Sequence, residues 1–169
     1  MKHDGDFSGA CASGTARASS SSTANQRAIW ARIAAFSLDV KGAPYPLSKR
    51  LSDEQDWSYE FTLRAIEEYK RFMFLAACAG HPVTPSFVTD EVWHTHLIYT
   101  RSYWEELGDI LGKLIHHDPG TGEEGDKAFF EAQYRRTIDS YRKFFGEPPQ
   151  DIWGSANRDM VKPKGRLAK

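Results

Sequence analysis

The sequence predicts an all-α protein: a compact single-domain bundle of about four to six helices with flexible termini. Three observations lead there. Apolar residues recur at three- and four-residue steps, strict alternation nowhere persists over a strand's length, and Gly and Pro cluster between the apolar stretches. With 169 residues, 40% hydrophobic and 13% aromatic, the chain has room for one core built on large side chains.

Residues 1–24 are mostly Ser, Ala, Gly and Thr, too poor in apolar surface to offset the entropy of ordering, and read as a disordered tail. Thr23 or Asn25 can cap a first helix that sets Ile29, Ile33 and Phe36 on one side, together with Trp30. Gly42, Pro44 and Pro46 break it, and "LSKRLSDEQ" follows as a short helical turn. A long helix over about 57–79 carries Phe61, Ala65, Tyr69, Phe72 and Ala76 as a stripe, widened by Ile66 and Met73. Gly80 stops it, and Pro82 and Pro85 keep the connector from resuming it.

Ser86 or Thr89 starts a third long helix to about Gly108, and "DILGKLI" leads into an acid- and glycine-rich loop at 118–126. The last long helix, about 125–145, puts Phe130, Tyr134, Ile138, Tyr141 and Phe145 on one face. Gly146 and "EPP" end it, and Ile152 and Trp153 fold back on the core. The helical domain thus spans 25–154, and residues 155–169 form a basic flexible tail.

Composition excludes several classes of function. A formal net charge of −1 removes the electrostatic argument for nucleic acid or an anionic membrane surface. The two cysteines, Cys11 and Cys78, are too far apart for a zinc-ribbon or redox motif. No secretory-type apolar segment opens the chain and no run is long enough to span a bilayer, so a cytoplasmic location is expected. There is no phosphate loop, HExxH pair or GxSxG elbow.

Four of the six histidines fall between positions 94 and 117: "WHTH" at 93–96 and "LIHHDPG" at 114–120. Residues two apart on a helix point to nearly opposite sides, so His94 and His96 do not readily share one metal. On an unbroken helix His96 lies at the centre of the apolar arc and is expected to be buried, with Thr100 one turn away as a hydrogen-bond partner. Glu91, Thr95 and Ser102 fall on the opposite arc. Asp90 and His94, four apart, meet at the arc's edge, where Asp90 can hydrogen-bond His94 or join it as a ligand. His116 and His117 follow a short helix, one facing inward and one outward. The candidate ligand set is therefore Asp90, His94, His96, His116 and His117, with zinc or iron(II) as the expected ion. The same residues also have a structural reading, as core hydrogen bonding for the histidines and helix capping for Asp90. His81 and His3 look incidental.

Pro85, Ser86, Asp90, Trp93, His94, His96, Leu97, Thr100 and Tyr103, followed by His116, His117, Phe145 and Gly146, form a pattern that resembles the N-terminal helical region of the glycine-rich domain-containing protein-like family of plants, fungi and bacteria. The resemblance covers about residues 30–154, with Asp-x-x-Trp-His-x-His as its most specific part. It implies an all-helical domain and brings no established catalytic activity. Larger relatives continue into glycine-rich or other domains.

Two functions follow. One is a transition-metal-binding helical domain, extending to a small metalloenzyme, whose partner is a small molecule. The other is a non-catalytic protein–protein interaction module whose histidines are structural.

Overall fold

The computed structural model describes residues 14–117 and 124–154; of the expected tails, 1–13 and 155–169 lie outside the described residues, as does loop 118–123. The described residues contain helices and no strand, as the apolar periodicity requires. Helix α1 spans Gly14–Ala35. Its start lies upstream of the expected cap at Thr23 or Asn25. The preceding segment has no proline, and its Ala and Arg residues are good helix formers, so the helix propagates toward the N-terminus.

Helix α2, Leu47–Gln55, follows Pro46, which offers no side-chain cap. Asp39 serves instead from the preceding loop. Its carboxylate accepts from the Ser48 backbone N–H at 2.8 Å and from the Ser48 hydroxyl at 2.6 Å, satisfying a donor that the helix start leaves open.

Helix α3, Tyr59–Cys78, is capped by Ser58, whose hydroxyl accepts from Phe61 N–H at 3.2 Å. It is the hub of the fold and packs against α1, α2, α4 and the later helix α6, Glu124–Phe145. Ala65, Tyr69, Phe72 and Met73 are buried as the stripe requires, but so are Glu68, Lys70, Phe74 and Leu75. A helix surrounded by four others has little solvated face left.

Glu68 shows how that burial is made tolerable. One carboxylate oxygen accepts from the Tyr141 hydroxyl and from the Trp153 indole N–H, each at 2.8 Å. The other pairs with Arg71. One side chain thereby joins α3, α6 and the closing turn α7, Gln150–Trp153. Ile152 and Trp153 are buried, so the chain does fold back at this point.

Between α3 and α4, Gly80 adopts φ +75°, a left-handed conformation that glycine takes without strain and that ends α3. The connector is then strapped to α6. Thr84 N–H donates to Thr137 Oγ1 and the Thr84 hydroxyl to Gln133 Oε1, both at 2.9 Å, and His81 Nε2 lies 2.7 Å from Ser140 Oγ. His81 is therefore a tie between elements.

Helix α4, Phe87–Leu97, ends earlier than the sequence suggests. A break over 98–99 leads to a π-helical segment, Arg101–Leu107, which runs into the short α5, Gly108–Leu111. The arc drawn for one continuous helix is corrected accordingly: Glu91, Thr95 and Ser102 are buried. Helix α2 covers their side of α4, with Gln55 donating to Glu91 at 2.8 Å, and the break rotates Ser102 inward.

Candidate metal centre

Helix α4 divides its two histidines between the core and the rim. His96 is fully buried. Its Nδ1 lies 3.0 Å from the Tyr69 hydroxyl and its Nε2 3.1 Å from the Ser102 hydroxyl. A neutral imidazole donates through one nitrogen and accepts through the other, so these two hydroxyls satisfy it completely. Burial holds its pKa down at about 4, because the cation would lose its hydration without gaining a counter-charge. The partner is Ser102 and not Thr100, because the π-helical segment shifts the register by which the chain returns to α4.

The rim holds three other groups. Asp90, His94 and His117 each present a ligand atom within 4.8 Å of those of the other two. His117 Nε2 lies 2.8 Å from Asp90 Oδ1, while His94 Nε2 is 3.7 Å from Asp90 Oδ2. The expected direct bond from Asp90 to His94 is therefore not made, and His117 takes that place. The His94 and His117 rings stack with centroids 4.7 Å apart. Of the five candidate ligands, the structure brings these three together. His96 is committed to the core, and His116 is exposed with its ring 5.5 Å from that of Trp104.

His117 reaches Asp90 because the segment carrying it is pinned. Trp93 Nε1–H donates to the Tyr103 hydroxyl at 2.9 Å, and that hydroxyl donates to the Ile115 carbonyl at 2.5 Å. The His117 ring packs on Trp93 at 4.3 Å between centroids. Trp93 and Tyr103 both belong to the sequence pattern. Their role as the anchor of the 115–117 segment carries no sequence signal, since it depends on the break after α4.

The donor set is one carboxylate oxygen and two imidazole nitrogens. Zinc bonds of about 2 Å in tetrahedral geometry need donors roughly 3.4 Å apart. The two Asp90 contacts, 2.8 Å and 3.7 Å, run to different carboxylate oxygens, so one ion shared by all three donors would require a turn of one ring. His94, with 48% of its side chain exposed, has room to make it. Three N/O donors at a rim would leave coordination positions open on an ion, as in catalytic rather than closed structural sites.

Beside this group lies a cleft of about 400 Å³ between α3, the 81–85 connector, the 115–117 segment and α6. His117 and Trp93 line it, so one face of the imidazole belongs to the cleft while its Nε2 reaches Asp90.

No protein-family model matches the chain, and no solved structure matches it. It is similar to Glycine-rich domain-containing protein 1 and Glycine-rich domain-containing protein 2 of Arabidopsis thaliana, 24% identical to each over 91 residues, or 51% of this chain. The match spans only 11% and 12% of those two proteins' own lengths. The likeness supports the resemblance to that family over half of the chain. It does not extend to the activities or further domains of the larger proteins.

Proposed function

We propose that this helical domain binds a divalent transition metal, zinc or iron(II), through Asp90, His94 and His117, and that the bound ion serves a small-molecule reaction at the rim. One observation carries the reading: three N/O donors from α4 and the 115–117 segment lie within 4.8 Å of one another at a partly exposed site. Two histidines and one carboxylate with open positions suit non-haem iron(II) as well as zinc. His96 and His116 take no part in this reading.

The competing reading is a non-catalytic interaction module. It draws support from the 2.8 Å contact of His117 with Asp90, which ties the 115–117 segment to α4 without any ion.

Tag-free protein, stripped with chelator, decides between them. Zinc or iron(II) is expected to raise the melting temperature, because a ligand that binds only the folded state stabilises it by mass action. The gain should vanish in Asp90→Ala, His94→Ala and His117→Ala, survive in His116→Ala, and weaken on acidification as protons compete for the imidazoles. If no transition metal co-purifies near stoichiometrically and none shifts the melting curve, the interaction-module reading stands.

A further inference from the structure

We propose that the cleft beside His117 binds the flat apolar body of a small organic molecule whose oxygen-donor head, of the carboxylate, hydroxamate or phenolate type, reaches the metal group. The metal-ligated head rests on the reading of Asp90, His94 and His117 given above; the seat for the apolar body does not.

Size and walls come first. About 400 Å³ lies within the range of small-molecule pockets and is too small for a macromolecular segment with its own fold. Ile115, Phe129 and Phe130, with an edge of Trp93, supply apolar, mostly aromatic surface over the buried Phe72, which favours planar partners through offset or edge-on contacts. The connector forms a rigid side: Pro82 and Pro85 restrict its backbone, and the bonds of Thr84 to Thr137 and Gln133 hold it on α6.

Phe129 is the second observation. It lines the cleft yet keeps 57% of its surface exposed, with its ring edge-on to Phe130 at 5.6 Å. A phenyl ring held at a pocket mouth gains from being covered by an apolar ligand. Third, of the polar residues in the lining, His81, Thr84 and Gln133 already bond within the connector and α6, whereas the 115–117 segment brings His116 and His117. The His117 ring forms part of the cleft wall and touches Asp90 through Nε2. A molecule with its ring among the phenylalanines would therefore carry its polar head toward the rim where Asp90 and His94 lie.

Benzohydroxamate and acetohydroxamate share a metal-binding head and differ in the aromatic ring. Both would be titrated by NMR into chelator-stripped and zinc-loaded protein, wild type and Phe129→Ala. Benzohydroxamate should shift the Trp93 and His117 ring signals saturably in both forms and bind about tenfold tighter with zinc. Acetohydroxamate should bind only the zinc form, about tenfold more weakly than benzohydroxamate. Phe129→Ala, at an exposed position, should weaken benzohydroxamate several-fold and leave acetohydroxamate unchanged. Equal affinity for the two probes, insensitivity to Phe129→Ala, or no saturable shift in either form overturns the cleft proposal. Ring-dependent binding that zinc does not strengthen supports the seat for the body and removes the metal-ligated head. In that case the melting curves decide separately whether the metal reading itself survives.

Discussion

The Tyr103 hydroxyl donates to the backbone carbonyl of Ile115, two residues before His117. It also accepts from the Trp93 indole, against whose ring His117 packs. One phenol thus fixes both the segment that delivers His117 and the surface on which the imidazole rests.

Tyr103→Phe should keep the ring in place and release the segment. Groups that hold a metal ligand in position typically account for about 10- to 100-fold in affinity, so zinc binding by the variant is expected to weaken at least about tenfold. Tyr141→Phe removes a hydroxyl bond of similar kind at Glu68 and should leave zinc affinity unchanged. Calorimetric titration of both variants provides the comparison, and equal affinities would remove Tyr103 from the site.

His96 governs stability in mildly acidic solution. Its pKa is about 4 in the folded protein against 6.5 in its absence of burial. Between those values the unfolded chain binds more protons, so stability falls as the pH drops from about 6.5 to about 4 and is unaffected by this group above that window. The loss amounts to about 3 kcal/mol. Urea midpoints measured across this range should show a steeper decline for the wild type than for His96→Gln, whose amide does not titrate.

At neutral pH, His96→Ala should cost about 1–3 kcal/mol, since it opens a cavity and strands the Tyr69 and Ser102 hydroxyls. An unchanged denaturation midpoint would show that the two bonds contribute nothing net. Ser102→Ala leaves the imidazole in place and should cost about 1 kcal/mol.

Glu68→Ala is expected to be the most damaging substitution outside the apolar core. It removes the acceptor shared by Tyr141 and Trp153 and the carboxylate that pairs with Arg71. Arg71 is partly exposed and can be solvated, so the loss comes from the two stranded donors, about 1–3 kcal/mol each. Glu68→Gln keeps one acceptor oxygen and should cost less. Denaturant melts of the two variants test the order, and equal losses would show that the retained acceptor oxygen contributes nothing and the charge carries the effect.

Much of the fold was legible because apolar spacing and helix punctuation are local signals. Tyr69, Phe72 and Met73 on α3, and Gly80 and Gly146 as stops, could be placed from the chain alone. The burial of His96 was legible for the same reason. The break after Leu97 was not, since "LIYTRS" contains neither Gly nor Pro and a helical projection passes straight through it. That miss left Ser102 on the solvent side although it bonds the His96 ring; Glu91 and Thr95 lie before the break and are buried because α2 covers their side of α4. The site was half legible. Asp90 and His94 share a helical face by spacing, but the choice of His117 over His116 depends on the Tyr103–Ile115 bond, which joins residues 12 positions apart. Glu68 gave no signal, being one acid of the pair in "IEEYK".

The Glu68–Trp153 bond links residues 85 positions apart, and this bears on the order in which the protein is made. Synthesis delivers the hub helix with its carboxylate long before the indole that will cap it. Until then the C-terminal half of α3 presents Tyr69, Phe72, Phe74 and Leu75 as adhesive surface around an acid paired only with Arg71. Long-range closure of this kind slows folding and prolongs exposure of such surface. The nascent chain should therefore depend on chaperones until Trp153 has emerged, and ribosome-bound chains halted before that residue should remain sensitive to protease across α3.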